Sequence, residues 1–307
     1  MKSPRTLLEA VSYFADPEVA HQFVVELRWP TGVTCPREGC GSDRVQFIST
    51  RRLWRCNGCG RQFTAKVGTI FEESPVGFDK WLPAFWLLSS NKNGISSCEL
   101  ARALGVTQKT AWFMVHRIRT AMTTPTSRRL AETVEVDETY VGGVTPGRTP
   151  GIVAGRKSRG PRFGKTVVMG FVERKGEARA MVVPNVRRAT LLPQIRENVE
   201  PGTRVITDSL NSYATVGREF PHDVINHMEG FARGDITTNR AENFWSGLKR
   251  TLGGTYISVQ PKHLDRCVEE QAFRFNSRRE VDGSRFAQAV RQTDGKRLTY
   301  RRLTKGS

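Results

Sequence analysis

Apolar side chains recur at two different periods along this chain, and the change of period divides it. In residues 1–30 the spacing is helical. Val19, Phe23, Val24 and Leu27 share a face behind Asp16-Pro17, a capping residue with Pro at the first helical position, so two short helices are predicted. Residues 78–122 are helical again, with Phe78 and Trp81 leading into Phe85-Trp86-Leu87-Leu88. There, Ser97 can cap a helix carrying Leu100, Ala101 and Leu104, Gly105 turns the chain, and Thr107 can cap a helix over 108–119. From residue 133 the period drops to two. A strand holds Val134, Val136 and Tyr140, a hairpin spans 166–186, and a helix runs from about 189 to 198. A short strand then ends at Asp208, followed by another helix, a weak strand at 223–227 and a helix beginning near Asn239. Three strands, helix, strand, helix, strand, helix is the order of an α/β layer with a mixed sheet. Residues 262–278 read as a helix with Leu264, Cys267, Ala272 and Phe275 inward. A short helix after Gly283 leads to a basic tail from Lys296 to Lys305.

At 307 residues the chain is long enough for one large domain or two to three smaller ones. No apolar run approaches a membrane span and no signal-peptide pattern opens the sequence, so the protein is expected in the compartment where it is made, the cytoplasm. Charge changes the picture most. Lys and Arg number 48 against 30 Asp and Glu, a net +18. Such an excess repels itself in the folded state, and a polyanionic partner, nucleic acid by default, accounts for it better than a membrane surface does.

Six cysteines stand at positions 35, 40, 56, 59, 98 and 267. Cys35 and Cys40, in C-P-R-E-G-C, and Cys56 and Cys59, in C-N-G-C-G, form two close pairs a strand apart, which suits tetrahedral thiolate coordination of a structural Zn2+. Gly39, Gly41, Gly58 and Gly60 flank the sulfurs. Arg44, Arg51, Arg52, Arg55 and Arg61 decorate the module, for nucleic acid or as a solvated face. Cys98 and Cys267 read as core residues.

The helix pair around Gly105 fits a helix-turn-helix whose second helix enters a DNA major groove with Gln108, Lys109 and Thr110 leading and Arg117 further along. An ordinary helical hairpin has the same pattern. A Gly/Pro-rich loop at 143–165 holds Arg156 and Lys157 among six basic residues and no acid, so it can track a phosphate backbone or stay solvated.

Strand interiors disfavour Asp, yet Asp137 lies inside V-E-V-D-E-T-Y. Alternation puts Glu135 and Asp137 on one face and Glu138 on the other; on a buried face these carboxylates need partners or a metal, and a solvated face is the alternative. Asp208 ends a later strand in T-D-S. Glu242 starts a helix in T-N-R-A-E-N-F-W-S-G-L-K-R, two turns before Lys249 on nearly the same face. Phe244, Trp245 and Leu248 make the stripe that docks this helix. Asn239 three residues before Glu242 also resembles a capping box, which needs no chemistry. Asp137, Asp208 and Glu242 together can gather oxygen ligands for Mg2+, and two such ions can cut a phosphodiester.

With C-P-R-E-G-C, C-N-G-C-G-R-Q-F, V-D-E-T-Y-V-G-G, T-D-S, T-N-R-A-E-N-F-W-S-G-L-K-R, H-L-D-R and F-R-F-N-S-R in view, the chain resembles bacterial insertion-sequence transposases that join an N-terminal zinc ribbon to a ribonuclease H-like DDE catalytic domain. The resemblance implies Asp137, Asp208 and Glu242 as the acids holding two Mg2+ or Mn2+ ions, with Asp137 bridging them. It implies Lys249 near the cut DNA with Arg250 beside it. Some relatives carry Asn at the third position, a role Asn239 could share, and His227 could line the site. It also implies cleavage at the element's ends, joining of the freed 3′-hydroxyl to target DNA, and at least a homodimer on terminal inverted repeats. A nuclease without strand transfer and a catalytically inactive DNA-binding regulator are the competing functions. The domain layout expected is 1–30 N-terminal helices, 31–72 zinc ribbon, 76–124 helix-turn-helix, 130–280 catalytic domain and 281–307 basic tail.

Overall fold

The computed structural model describes residues 4–123, 128–142, 164–226 and 235–305. The chain forms two compact units, one of residues 1–124 with 277–307, the other of residues 125–276.

The first unit opens with helices α1 (Leu7–Phe14) and α2 (Pro17–Arg28). Thr6 caps α1, and Asp16 caps α2 by accepting the Glu18 N–H at 2.7 Å. Strands β1 (Val45–Ile48), β2 (Leu53–Cys56) and β3 (Gln62–Phe63) form a small antiparallel sheet in that order. Helices α3 (Phe78–Ser90), α4 (Ser97–Leu104) and α5 (Gln108–Met122) follow. The α4 cap is Ser96, one residue earlier than the sequence suggests. Glu99 completes a capping box with it, Gly105 turns the chain at φ 61°, and Thr107 caps α5.

The second unit is a five-stranded mixed sheet. Strands β4 (Thr133–Gly142), β5 (Lys165–Glu173) and β6 (Ala178–Val183) form an antiparallel meander. After α6 (Arg188–Asn198), strands β7 (Arg204–Asp208) and β8 (His222–Ile225) add in parallel on the other side of β4. The sheet order is β6-β5-β4-β7-β8. The helix expected between β7 and β8 is instead two 3-10 turns, Asn211–Tyr213 and Val216–Arg218, because only about a dozen residues link these two parallel strands. Helix α7 (Asn239–Arg250) runs on into a π-helical turn, Thr251–Tyr256, before α8 (Pro261–Asn276).

The period of two in β4 decides which face each residue joins. Val134 and Val136 pack with Met169, Phe171, Leu191 and Ile195, the core between the sheet and α6. Val168 and Val172 face the other way, into a core with Phe244, Trp245, Leu248, Leu264 and Cys267 of α7 and α8. Glu135, Asp137 and Thr139 therefore point toward α7. The chain then returns to the first unit as α9 (Asp282–Arg291) and α10 (Tyr300–Lys305). The stretch read as a basic tail is thus folded, since Phe286, Ala289, Val290, Leu298 and Leu303 are all buried. Phe286 stacks on Phe23 and meets Phe14 and Trp86 at a tilt. No helix among the described residues is long and apolar enough to cross a membrane.

One ion pair ties the start of the second unit to its sheet. Glu173 at the end of β5 accepts both guanidinium nitrogens of Arg128, at 2.8 and 3.2 Å, and the Ala131 N–H at 2.9 Å. Burial alone would raise its pKa, but these donors outweigh it and hold the carboxyl below the ordinary glutamate value. A depressed carboxyl pKa adds stability above the unfolded value and loses it as pH falls through the folded one. Glu173→Gln should therefore cost about 1–2 kcal/mol at neutral pH, and its melting curve should converge on the wild type below about pH 4. Melting midpoints across that range check both.

Candidate active site and metal centre

Two groups of side chains in the described residues have the composition and closeness to hold a metal: the four cysteines 35, 40, 56 and 59, and the three acids Asp137, Glu138 and Asp208.

Cys56 ends β2 and Cys59 follows on the turn into β3. Cys35 and Cys40 sit on a second knuckle, where Gly39 adopts φ 76°, as Gly60 does at φ 72° in the first. All four sulfurs lie within 4.8 Å of one another. The Cys35–Cys59 and Cys40–Cys56 separations are 3.8 and 3.7 Å. Zinc–thiolate bonds of about 2.3 Å in a tetrahedron put sulfurs about 3.8 Å apart, so the four fit Zn2+ with no position left open for a substrate. The Cys59 amide, with that of Gly58, pulls the Cys56 thiol down to about 6 and favours thiolate. Cys267 is buried in the α7–α8 core, but Cys98 is exposed and not a core residue, since α4 turns Leu100 and Ala101 inward instead.

The acidic group forms where β4 runs past the end of β7. Their parallel register pairs Glu135 with Ile206, and two residues further it brings Asp137 level with Asp208, the last residue of β7. The C-terminal ends of parallel strands are where open α/β sheets gather ligands. Each carboxylate is held. Asp208 Oδ1 accepts the Leu210 N–H at 2.9 Å, and Asp137 Oδ2 accepts the indole N–H of Trp245 at 2.9 Å. Tyr213, itself buried, donates its hydroxyl to Glu138 Oε1; burial and then the Glu138 charge push the Tyr213 pKa well above the phenol range. The carboxylates of Asp137, Glu138 and Asp208 all lie within 4.8 Å of one another.

Trp245 reaches Asp137 because Gly170 stands opposite Asp137 on β5. A Cβ at Gly170 would lie 2.5 Å from the indole Cη2. Beside Trp245, Phe244 and Leu248 are buried, which is the docking stripe expected from the sequence.

Glu242 lies exposed in the first turn of α7, outside the three-acid group, and Lys249 and Arg250 are exposed in its last turn. The capping box is not what starts this helix. Asn239 is already the first helical residue, and Thr238 before it makes no side-chain cap. The N–H groups of Arg240 and Ala241 go to Glu135 Oε2 instead, at 2.9 and 3.2 Å. Glu138 was legible only as the acid on the opposite face of β4, and its closeness to Asp208 follows from the β4–β7 pairing.

Among the residues expected to meet DNA, Gln108 and Lys109 are exposed at the start of α5, with Thr110 partly exposed. Gln108 Nε2 donates to Ser97 Oγ, and the Lys109 ammonium lies 5.2 Å from the Tyr300 ring. Arg117 does not fit that role. It is 4% exposed, donates to the Leu298 carbonyl and stacks 4.2 Å from the Phe113 ring, which makes it a bond within the first unit. Arg156, Lys157 and His227 lie outside the described residues.

Comparison with known proteins gives matches over most of the chain. Residues 129–276 match the ISXO2-like transposase domain, and residues 15–62 match the transposase zinc-ribbon domain. An uncharacterized transposase-like protein of Haemophilus influenzae is 41% identical over 98 residues, 32% of this chain and 79% of that protein. An uncharacterized protein in transposable element ISH50 of Halobacterium salinarum is 26% identical over 257 residues, 79% of this chain and 85% of its own. Among solved structures, the Mos1 strand transfer complex aligns with 66% of this chain and 78% of its own, at 14% identity and a TM-score of 0.23.

Two measurements test these geometries. A strong chelator should release about one zinc per chain and unfold the β1–β3 module, and Cys56→Ser should do the same without chelator. Gly170→Ala forces an indole held on both sides to move and should cost about 1–3 kcal/mol, with a shift in tryptophan emission. A variant with wild-type melting and emission would show that Trp245 is not held against β5.

Proposed function

We propose, from the premise that this chain belongs to the ISXO2-like transposase family, that it cuts DNA at the ends of a mobile element and joins the freed strand to target DNA. The observation carrying this is the meeting of Asp137, Glu138 and Asp208 at the end of β7 in a strongly basic chain. Water would open a phosphodiester at the element's end, and the released 3′-hydroxyl would then displace an oxygen of a target phosphodiester. Two Mg2+ or Mn2+ ions, when bound, would supply the positive charge that activates the attacking oxygen and stabilises the leaving one.

Asp137 and Asp208 are the residues to hold those ions, oriented by Trp245 and by the Leu210 amide. Glu242 is our third acid. It lies on α7 three residues before Trp245, hence one turn from the side chain that touches Asp137. Glu138, tied to Tyr213, adds a fourth carboxylate. Lys249 and Arg250 would meet the phosphates next to the cut. The mixed sheet, with a three-stranded meander continued by two parallel strands, supports a ribonuclease H-like reading of the second unit.

In the first unit, α4 and α5 serve as a helix-turn-helix for the terminal inverted repeats, with Gln108, Lys109 and Thr110 at the bases. The Zn2+-bound ribbon assists, and Arg156 and Lys157 add phosphate contacts. Holding two ends at once calls for at least a homodimer on double-stranded DNA, acting where the bacterial chromosome lies, in the cytoplasm.

Purified protein with Mg2+ and DNA carrying the element's ends should give joined donor–target products. Asp208→Ala and Glu242→Gln should each remove them by more than the about 10–100-fold expected of an outer-shell partner, while leaving DNA binding intact. Glu138→Gln should be milder. Cleavage without joining would reduce the protein to a nuclease, and binding without either would leave a DNA-binding regulator.

A further inference from the structure

Glu135 is buried to 1% exposure on β4, two residues before Asp137, and every bond it makes leads to the entrance of α7. Its Oε2 accepts the Arg240 and Ala241 N–H groups, two of the donors that a helix start leaves open. Its Oε1 meets Arg174 Nε at 3.2 Å, and the same guanidinium donates to the carbonyls of Asp235 and Thr237. The segment entering the helix is therefore gripped twice, by its amides through Glu135 and by its carbonyls through Arg174.

One helical turn beyond Ala241, Trp245 bonds Asp137. From Glu135 to Asp137 the strand advances about 6.6–6.8 Å. From Ala241 to Trp245 the helix advances about 6 Å, so the two contacts are in step. A cap alone would need only a local Ser, Thr or Asp beside the helix start, open to water. Here a charge is brought from 105 residues away and buried, which is costly unless its geometry is kept.

We propose that Glu135 is a positioning residue for the acidic site. It fixes where α7 begins, and through Trp245 it fixes the Asp137 carboxylate two residues along its own strand. The inference rests on the reading of that site given under Proposed function, and it makes no demand that Glu135 touch metal or DNA.

Glu135→Gln keeps the shape and one acceptor oxygen but turns an amide NH2 toward either Arg174 or the helix amides. Three readings are taken on the full chain: hydrogen exchange at the Arg240 and Ala241 amides, Mn2+ affinity by paramagnetic resonance, and cleavage at saturating DNA. Exchange should quicken at those two amides and not in β5. Mn2+ affinity and cleavage rate should each fall by about 10–100-fold, with DNA-end affinity near wild type and a melting temperature lowered no further than in Glu173→Gln, whose Mn2+ affinity should stay at wild type. A role confined to folding would lower the melting temperature and leave Mn2+ affinity alone. Unchanged exchange, or faster exchange with unchanged Mn2+ affinity, overturns the proposal. Should Glu135→Gln not fold, Arg174→Lys serves instead, since a lysine cannot fork to Glu135 and two carbonyls. It should shift the same quantities in the same direction, and wild-type Mn2+ affinity in that variant overturns the proposal equally. A wild-type protein that binds Mn2+ through Asp208 but cuts no DNA would sink the proposed function, and exchange with Mn2+ affinity would then decide this inference.

Discussion

A carboxylate held against a sheet must be met by donors, and β4 carries two on its α7 face, the buried Glu135 and the half-buried Asp137. Much of the second unit follows from answering those charges. Glu135 is met by helix amides and Arg174, which sets the start of α7. Asp137 is met by an indole N–H, which requires Trp245 at the helix's second turn and a glycine under its ring. The opposite face of the strand puts Val134 and Val136 into the α6 core and turns acidic only at Glu138, which Tyr213 meets. β4 thus presents carboxylates on both faces at its Asp137–Glu138 step, and an apolar face only before it.

What could be read from the sequence was whatever is encoded locally. The cysteine knuckles are such a case, because ligand spacing and turn glycines lie within a few residues of each other. The docking stripe of α7 and the succession of strands along the chain are others, since each is a periodicity. The start of α7 is only partly local: Thr237 Oγ1 accepts the Asn239 N–H at 3.1 Å, the Arg240 and Ala241 amides are met from a different strand, and Asn239 with Glu242 only imitated a capping box. Glu138 was hidden for a related reason. Its neighbour Asp208 is set by which strand pairs with β4, and no spacing within either motif records that. The helix after Gly283 is found as α9, but the tail beyond it misled, because Arg and Lys make up half of residues 296–305 while only Leu298 and Leu303 there are buried.

The net charge of +18 also carries less information about surfaces than it first suggests. Several arginines act as internal fasteners. Arg28 joins the Ala65 carbonyl to Asp294, Arg117 holds the Leu298 carbonyl, and Arg274 is buried against Glu270. Arg204 spans Asp223 and Asp235, which ties β7 to β8 and to the approach to α7. A planar guanidinium with several fixed donors suits such work better than an ammonium does. Part of the basic excess therefore belongs to the architecture, and the remainder is what a polyanion could meet.

The first unit is discontinuous: Phe286 completes an aromatic cluster begun by Phe14 and Phe23, with the whole second unit lying between them in the chain. On the ribosome this inverts the usual order, in which earlier segments finish folding before later ones emerge. The sheet and its helices can close while the first unit still waits, its aromatic face open to water, for α9 to be made. A chain interrupted between α8 and α9 would carry the Asp137–Glu138–Asp208 group but only part of the first unit. The last helices to be made are thus the ones that complete the first unit begun at the N-terminus.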